Sequence, residues 1–181
     1  MLPMAIMEGW SPNTFLAPFH LLSYSTLLGT ELYQTFVNTK VCYQALPRSA
    51  FTTLQKRLFP IYFRGQTLLL LLTASTVPPY GPFTLQANKS IWIPFAVAGL
   101  TAILNLTIYG PRTRQLMIDR IHQETRDKRK PNDSTELSSD MKALSRLFSH
   151  NHAMSIHLNL ISIGAMIWWG WKLASRLDFQ P

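Results

Sequence analysis

The stretch Ile91-Trp92-Ile93-Pro94-Phe95-Ala96-Val97-Ala98-Gly99-Leu100-Thr101-Ala102-Ile103-Leu104-Asn105-Leu106-Thr107-Ile108-Tyr109 carries no charged side chain over 19 residues. As a helix it would be roughly 28 Å long, close to the hydrocarbon thickness of a bilayer. A surface helix of a soluble protein keeps a polar stripe toward water, and this stretch has none. Working outward, residues 15–37 contain one charge, Glu31. Residues 61–77 contain only Arg64 and include the run Leu68-Leu69-Leu70-Leu71-Leu72, and residues 153–173 are uncharged until Lys172. The 17-residue window at 61–77 is short for a span. Phe59-Pro60 extends it, because proline is accepted in a first helical turn.

The fold expected is therefore all-α, a four-helix transmembrane bundle with spans at 15–37, 61–77, 91–109 and 153–173. A short N-terminus (1–14) precedes it, a long basic loop (110–150) joins helices three and four, and a tail (174–181) follows. Trp92 and Tyr109 bracket the third window, and Trp168, Trp169 and Trp171 sit beside Lys172, as in an interfacial aromatic belt. The alternative, a soluble bundle of buried helices, fails on the missing polar stripe in the second and third windows.

Whole-chain averages hide this segregation. The 181 residues are 47% hydrophobic and only 14% charged, with 17 Lys and Arg against 9 Asp and Glu. A net charge of +8 permits a nucleic-acid binder, and a single cysteine excludes a disulfide scaffold or a cysteine-based metal site. The base, however, is concentrated in two loops. Lys40, Arg48, Lys56 and Arg57 follow the first window, and nine Lys or Arg lie in 110–150. The positive-inside rule places both loops in the cytosol and both termini outside it. No nucleic-acid partner is expected. The first base is Lys40, so a secretory n-region and an Arg-rich presequence are both absent from the start of the chain. The expected partner is the lipid bilayer of the endomembrane system or plasma membrane, a mitochondrial membrane being the alternative. A second copy or another membrane protein is a further candidate partner.

Gly110-Pro111 is expected to end the third span and 112–126 to form a short helix. The cluster Arg126, Lys128, Arg129 and Lys130 is a candidate site for anionic lipid headgroups, or simply the topogenic signal. Inside the spans, polar groups are costly and mark candidate sites. Glu31, Arg64, Asn105, His157 and Asn159 fall at nearly one depth, in the half nearest the basic loops. They suggest either a polar cavity with a Glu31–Arg64 pair or interhelical hydrogen-bond glue. His20, Tyr24, Leu27, Glu31, Gln34 and Asn38 recur on one face of the first span. His152, Ser155, Asn159 and Ser162 do so in the fourth, with His157 on another face. Both stripes should turn inward. Gly29, Gly99 and Gly164 are candidates for close helix approach.

No cofactor or metal is expected. Haem or a metal held by the five histidines is the alternative, but His20 stands roughly 15 Å in depth from His157, too far for one iron. No nucleophile arrangement is visible, and the chain is not expected to be an enzyme.

Several fragments resemble the transmembrane protein 205-like family of multi-pass membrane proteins. They are Phe19-His20-Leu21-Leu22 with Gly29, Thr35-Phe36-Val37, Leu46-Pro47-Arg48, and Leu54-Gln55-Lys56-Arg57-Leu58-Phe59-Pro60-Ile61-Tyr62-Phe63. Pro111-Arg112-Thr113 with Met117, and His152-Ala153-Met154-Ser155 through Asn159-Leu160, complete the set. Thr39 and Ala153 stand where the family pattern has glycine. The resemblance covers most of 19–160 and marks His20, Pro60, Arg112, His152 and Asn159 as family positions. It implies a four-span membrane protein without an established reaction, and its link to platinum-drug resistance implies export or vesicle traffic. From their positions alone, Lys56 and Arg57 read as headgroup contacts and Phe59, Tyr62 and Phe63 as interfacial anchors.

Overall fold

A computed structural model describes residues 12–87, 89–127 and 138–176, and every long element among them is helical. Helix α1 (Pro12–Leu32) runs through a π-helical stretch, Tyr33–Asn38, into α2 (Thr39–Ala45). Leu46 is extended ahead of Pro47, as the steric restriction on a residue before proline requires, and α3 (Arg48–Ser75) follows. A short α4 (Pro82–Ala87) precedes α5 (Lys89–Leu104), which passes through a second π stretch, Asn105–Tyr109, into α6 (Gly110–Arg126). The last described helix is α7 (Ser139–Ala174).

Two continuous helices, Lys89–Arg126 and Ser139–Ala174, are long and apolar enough to cross a membrane. The stretches 12–45 and 48–75 are helical too, but their polar content lowers their mean hydropathy. The four long units close a ring in which α1 touches α3 and α7, while α5 touches α3 and α7. One end of the bundle holds the apolar core, with His20 and Thr73 buried beside it. There Leu27, Leu70, Val77, Phe95, Ala98, Met166 and Trp169 form the core. The other end is capped by α6 packing along the first turns of α7.

The helix continues through Gly110-Pro111, contrary to the expected break, although Pro111 gives the ladder no N–H. Gly110 N–H bonds the Asn105 carbonyl five residues back, and Pro111 follows directly on this wider turn, in the first turn of α6. A Cβ at Gly110 would crowd both that carbonyl and the Phe63 ring, so the wide turn needs glycine. Pro60 likewise lies well inside α3 instead of opening it.

Glycine also matters at Gly170, where a side chain would strike the Tyr24 ring and hydroxyl. Gly29 and Gly164, by contrast, face open space, and Gly99 makes only an ordinary contact with Leu70. The close approach expected of those three is thus made elsewhere. Tyr24 uses the room at Gly170 to donate a 3.0 Å bond to the Met166 carbonyl.

At the capped end Ser138 caps α7 by accepting from Met141 N–H at 3.2 Å, and its hydroxyl donates to Asp127 at 2.7 Å. Arg48 pairs with Glu124 at 2.8 Å, bringing the start of α3 to α6. Arg120 lies 4.9 Å above the Phe148 ring. The bases that bracket α3 and α6 thus share one end of the molecule.

Candidate functional site

The interior of the capped half is polar. Gln66 of α3 sits in phase with Tyr62, Leu70 and Thr73, so its side chain enters the bundle, where it is 1% exposed. Its amide nitrogen donates to Glu31 Oε1 at 2.7 Å and reaches Asn159 Oδ1 and Ser162 Oγ, each at 3.3 Å. Ser162 donates to the same Glu31 oxygen at 2.9 Å. Tyr62 donates to Asn159 Oδ1 at 2.7 Å, and Asn159 Nδ2 donates to Thr35 at 2.8 Å. Three helices are therefore joined through Glu31, Gln66 and Asn159, as inward-facing polar stripes require. Asn105 lies beside this network and donates to the Ser155 carbonyl at 3.1 Å.

Two expected members are elsewhere. Arg64 is exposed and does not pair with Glu31; the partner is Gln66, two residues on and on the inward face of α3. His157 is also exposed, with Nδ1 donating to the Ala153 carbonyl at 2.6 Å. Equal depth along a helix does not give equal direction around it, and both residues are out of phase with the buried stripe.

Beyond Asn159 the four long units separate around a chamber of ≈ 350 Å³. Gln34 and Thr35 reach it from the first π stretch, Leu106 from the second. π turns break the regular side-chain spacing and recur at functional sites. Gln55, Lys56, Phe59, Tyr62 and Phe63 come from α3, Thr113, Arg114 and Met117 from α6, and His152, Ser155 and Asn159 from α7. Phe59, Tyr62 and Phe63 make an aromatic wall, with Phe59 and Phe63 stacked at 5.9 Å. His152 stacks on Phe148 at 5.3 Å. Lys56, Phe59, Tyr62 and Phe63, expected as interfacial anchors, all line this chamber.

Of the family positions, Pro60, His152 and Asn159 line the chamber, but Arg112 does not. His20 lies toward the opposite end. Its Nδ1 donates to the Thr73 carbonyl and its Nε2 accepts from Trp169 Nε1, both at 3.0 Å. Trp169 is twelve residues beyond His157, roughly 18 Å along α7, so the two histidines do not converge. Among the described residues no group of three or more His, Cys, Asp or Glu is placed around a common point. Lys128, Arg129 and Lys130 lie outside the described residues, and Arg126 ends α6.

Tyr62, Gln66, Ser162 and Trp169 complete the network and the His20 node. Ser162 was visible in its stripe, while Gln66 carried only the helical phase it shares with Tyr62 and Thr73.

The described residues thus form an all-helical protein, two of whose helices are long and apolar enough to cross a membrane, with an internal polar network and an end chamber. The chain belongs to the family described as a domain of unknown function (DUF4149), whose profile matches residues 22–122. It is also 44% identical over 164 residues to the Xanthocillin biosynthesis cluster protein D of Aspergillus fumigatus, an alignment covering 90% of this chain and 91% of that one. No solved structure matches it.

Proposed function

We propose that this is a four-span membrane protein, similar to the transmembrane protein 205-like family, that holds a small organic molecule at the basic end of its bundle and assists its passage. The carrying observation is the ≈ 350 Å³ chamber walled by all four long helical units, within the size range of small-molecule sites.

Polarity supports the four spans. Glu31, Gln34, Gln66, Asn105, Asn159 and Ser162 are buried, while Leu22, Phe36, Ile61, Leu68, Leu71 and Leu100 are exposed. Such a molecule is covered by lipid more readily than by water, and its polar atoms find partners only inward. This also explains the lower mean hydropathy of α1 and α3, whose polar residues face the interior. The basic end faces the cytosol under the positive-inside rule, in the endomembrane system or plasma membrane.

Binding and passage fit the lining better than catalysis. Among the described residues its lining has no carboxylate and no cysteine, and the histidine there, His152, is stacked on an aromatic ring. The relative named for a xanthocillin biosynthesis cluster supports a role beside the making of a small organic compound. The haem alternative is less well supported, since both nitrogens of His20 are engaged.

The test is mass spectrometry of organic extracts from the purified full chain and from Met117→Trp, which fills the chamber, after circular dichroism shows equal helicity. A small molecule carried by the parent protein and lost from the filled variant is expected. Identical extracts from the two would overturn the reading.

A further inference from the structure

Accepting that the chamber is a small-molecule site, we infer that its ligand is an organic anion, an oxyanion head joined to an apolar body. Among the described residues three bases, Lys56, Arg64 and Arg114, line it, and no acid does. Among the described residues no carboxylate forms an ion pair with any of these three.

Gln55 is the second observation. Its side chain is 2% exposed and forms part of the wall, yet neither its amide nitrogen nor its amide oxygen has a hydrogen-bond partner. The Thr113 hydroxyl, on the facing helix α6, is also buried and unpartnered. Buried polar groups left in this state destabilise a fold, and a bound polar head supplies what they lack. An oxyanion accepts from Gln55 Nε2 and from the Thr113 hydroxyl. A hydroxyl or amide N–H near the head would donate to Gln55 Oε1.

The remaining wall sets the body of the ligand. Phe59, Phe63, Met117 and Ile156 present apolar surface beside the cationic rim. A fully hydrated anion gains little there, and a neutral hydrocarbon leaves the amide and hydroxyl unsatisfied. An amphiphilic acid satisfies both. A free carboxylic acid from the aqueous side and the headgroup of an anionic lipid share this chemistry.

Titration calorimetry on the full chain in phosphatidylcholine nanodiscs tests it with decanoate, decanol, decylamine and dioctanoyl phosphatidate. Saturable binding of decanoate or phosphatidate is expected, at least about tenfold tighter than decanol or decylamine. Lys56→Gln with Arg114→Gln should weaken the anion about tenfold or more, and Gln55→Leu should also weaken it. Decanoate binding that phosphatidate does not displace identifies a free acid; tighter phosphatidate binding identifies a lipid head. Equal affinity for decanol, or anion binding unchanged in the double variant, overturns the assignment. So does failure of both anions to bind. A small molecule lost from the Met117→Trp extract would then leave the chamber standing with a different class of ligand, whereas identical extracts would remove the chamber as well.

Discussion

Gln66 of α3 donates a 2.7 Å hydrogen bond to Glu31 of α1, and Ser162 of α7 donates to the same carboxyl oxygen at 2.9 Å. α3 and α7 are not neighbours around the ring, so Glu31 links them from α1, and the 3.3 Å bonds from Gln66 to Asn159 and Ser162 cross the centre. Hydrophobic association is weak between helices in lipid, which leaves packing and hydrogen bonds of this kind to fix which helices meet.

Removing Gln66 should therefore loosen the bundle. Gln66→Leu strips one donor from Glu31 and the bridge to Asn159, and is expected to cost about 1–3 kcal/mol. Glu31→Gln keeps an acceptor at the same place and should cost less than Glu31→Leu, which leaves Gln66 and Ser162 without one. Unfolding in mixed micelles, followed by helicity, gives the order. Equal costs for Glu31→Gln and Glu31→Leu would show that the shared acceptor is not what holds the helices.

The Tyr24–Gly170 approach makes a sharper packing test. Gly170→Ala places a methyl group against the tyrosine and should destabilise by about 1–3 kcal/mol, as overpacking does. Gly164→Ala, which meets open space, should be near neutral. Tyr24→Phe removes the atom struck first, so combined with Gly170→Ala it should recover part of the loss. The coupling is read from a double-mutant cycle.

His20 and Trp169 form the corresponding node at the apolar end. His20→Phe leaves the indole N–H and the interaction at the Thr73 carbonyl unmade, for an expected loss of about 1–3 kcal/mol. Trp169 also packs edge-on to Phe95 at 5.0 Å, and its near-ultraviolet dichroism should change with the substitution. An unchanged signal and unchanged stability would mean that the node does not order the indole.

Sequence carried the helices further than it carried their phase. The charge-free run 91–109 and the stripes through His20, Glu31, Ser155 and Ser162 identify helices and inward faces, because composition and the 3.6-residue period are both readable in one dimension. The Glu31–Arg64 pair was misleading because opposite charge at similar depth suggested attraction, whereas the helical turn separates Arg64 from Gln66 by about 200°. The chamber was not legible either. Gln55, Thr113 and His152 lie far apart in the chain, and two π turns alter the register that a straight helix would give. The Gly110-Pro111 pair signalled a break in sequence, but one wider turn accommodates the proline without ending the helix.

The proposed four-span arrangement makes a final prediction about sidedness. In a Cys42→Ser background, single cysteines replacing Arg57 and Thr125 report the capped end, and those replacing Tyr80 and Ser175 report the opposite end; all four positions are exposed. Two crossings separate Arg57 from Thr125, and two separate Tyr80 from Ser175. An impermeant thiol reagent applied to sealed vesicles should therefore label the members of each pair together and the two pairs from opposite faces. The capped pair should be the cytosolic one, since that end gathers Lys56, Arg57, Arg112 and Arg114. Labelling of Tyr80→Cys together with Thr125→Cys from one face would mean that Lys89–Arg126 does not cross. If only two helices span, Lys89–Arg126 and Ser139–Ala174, then Arg57→Cys and Tyr80→Cys would share a face, and α1 and α3 would lie along the membrane instead of through it.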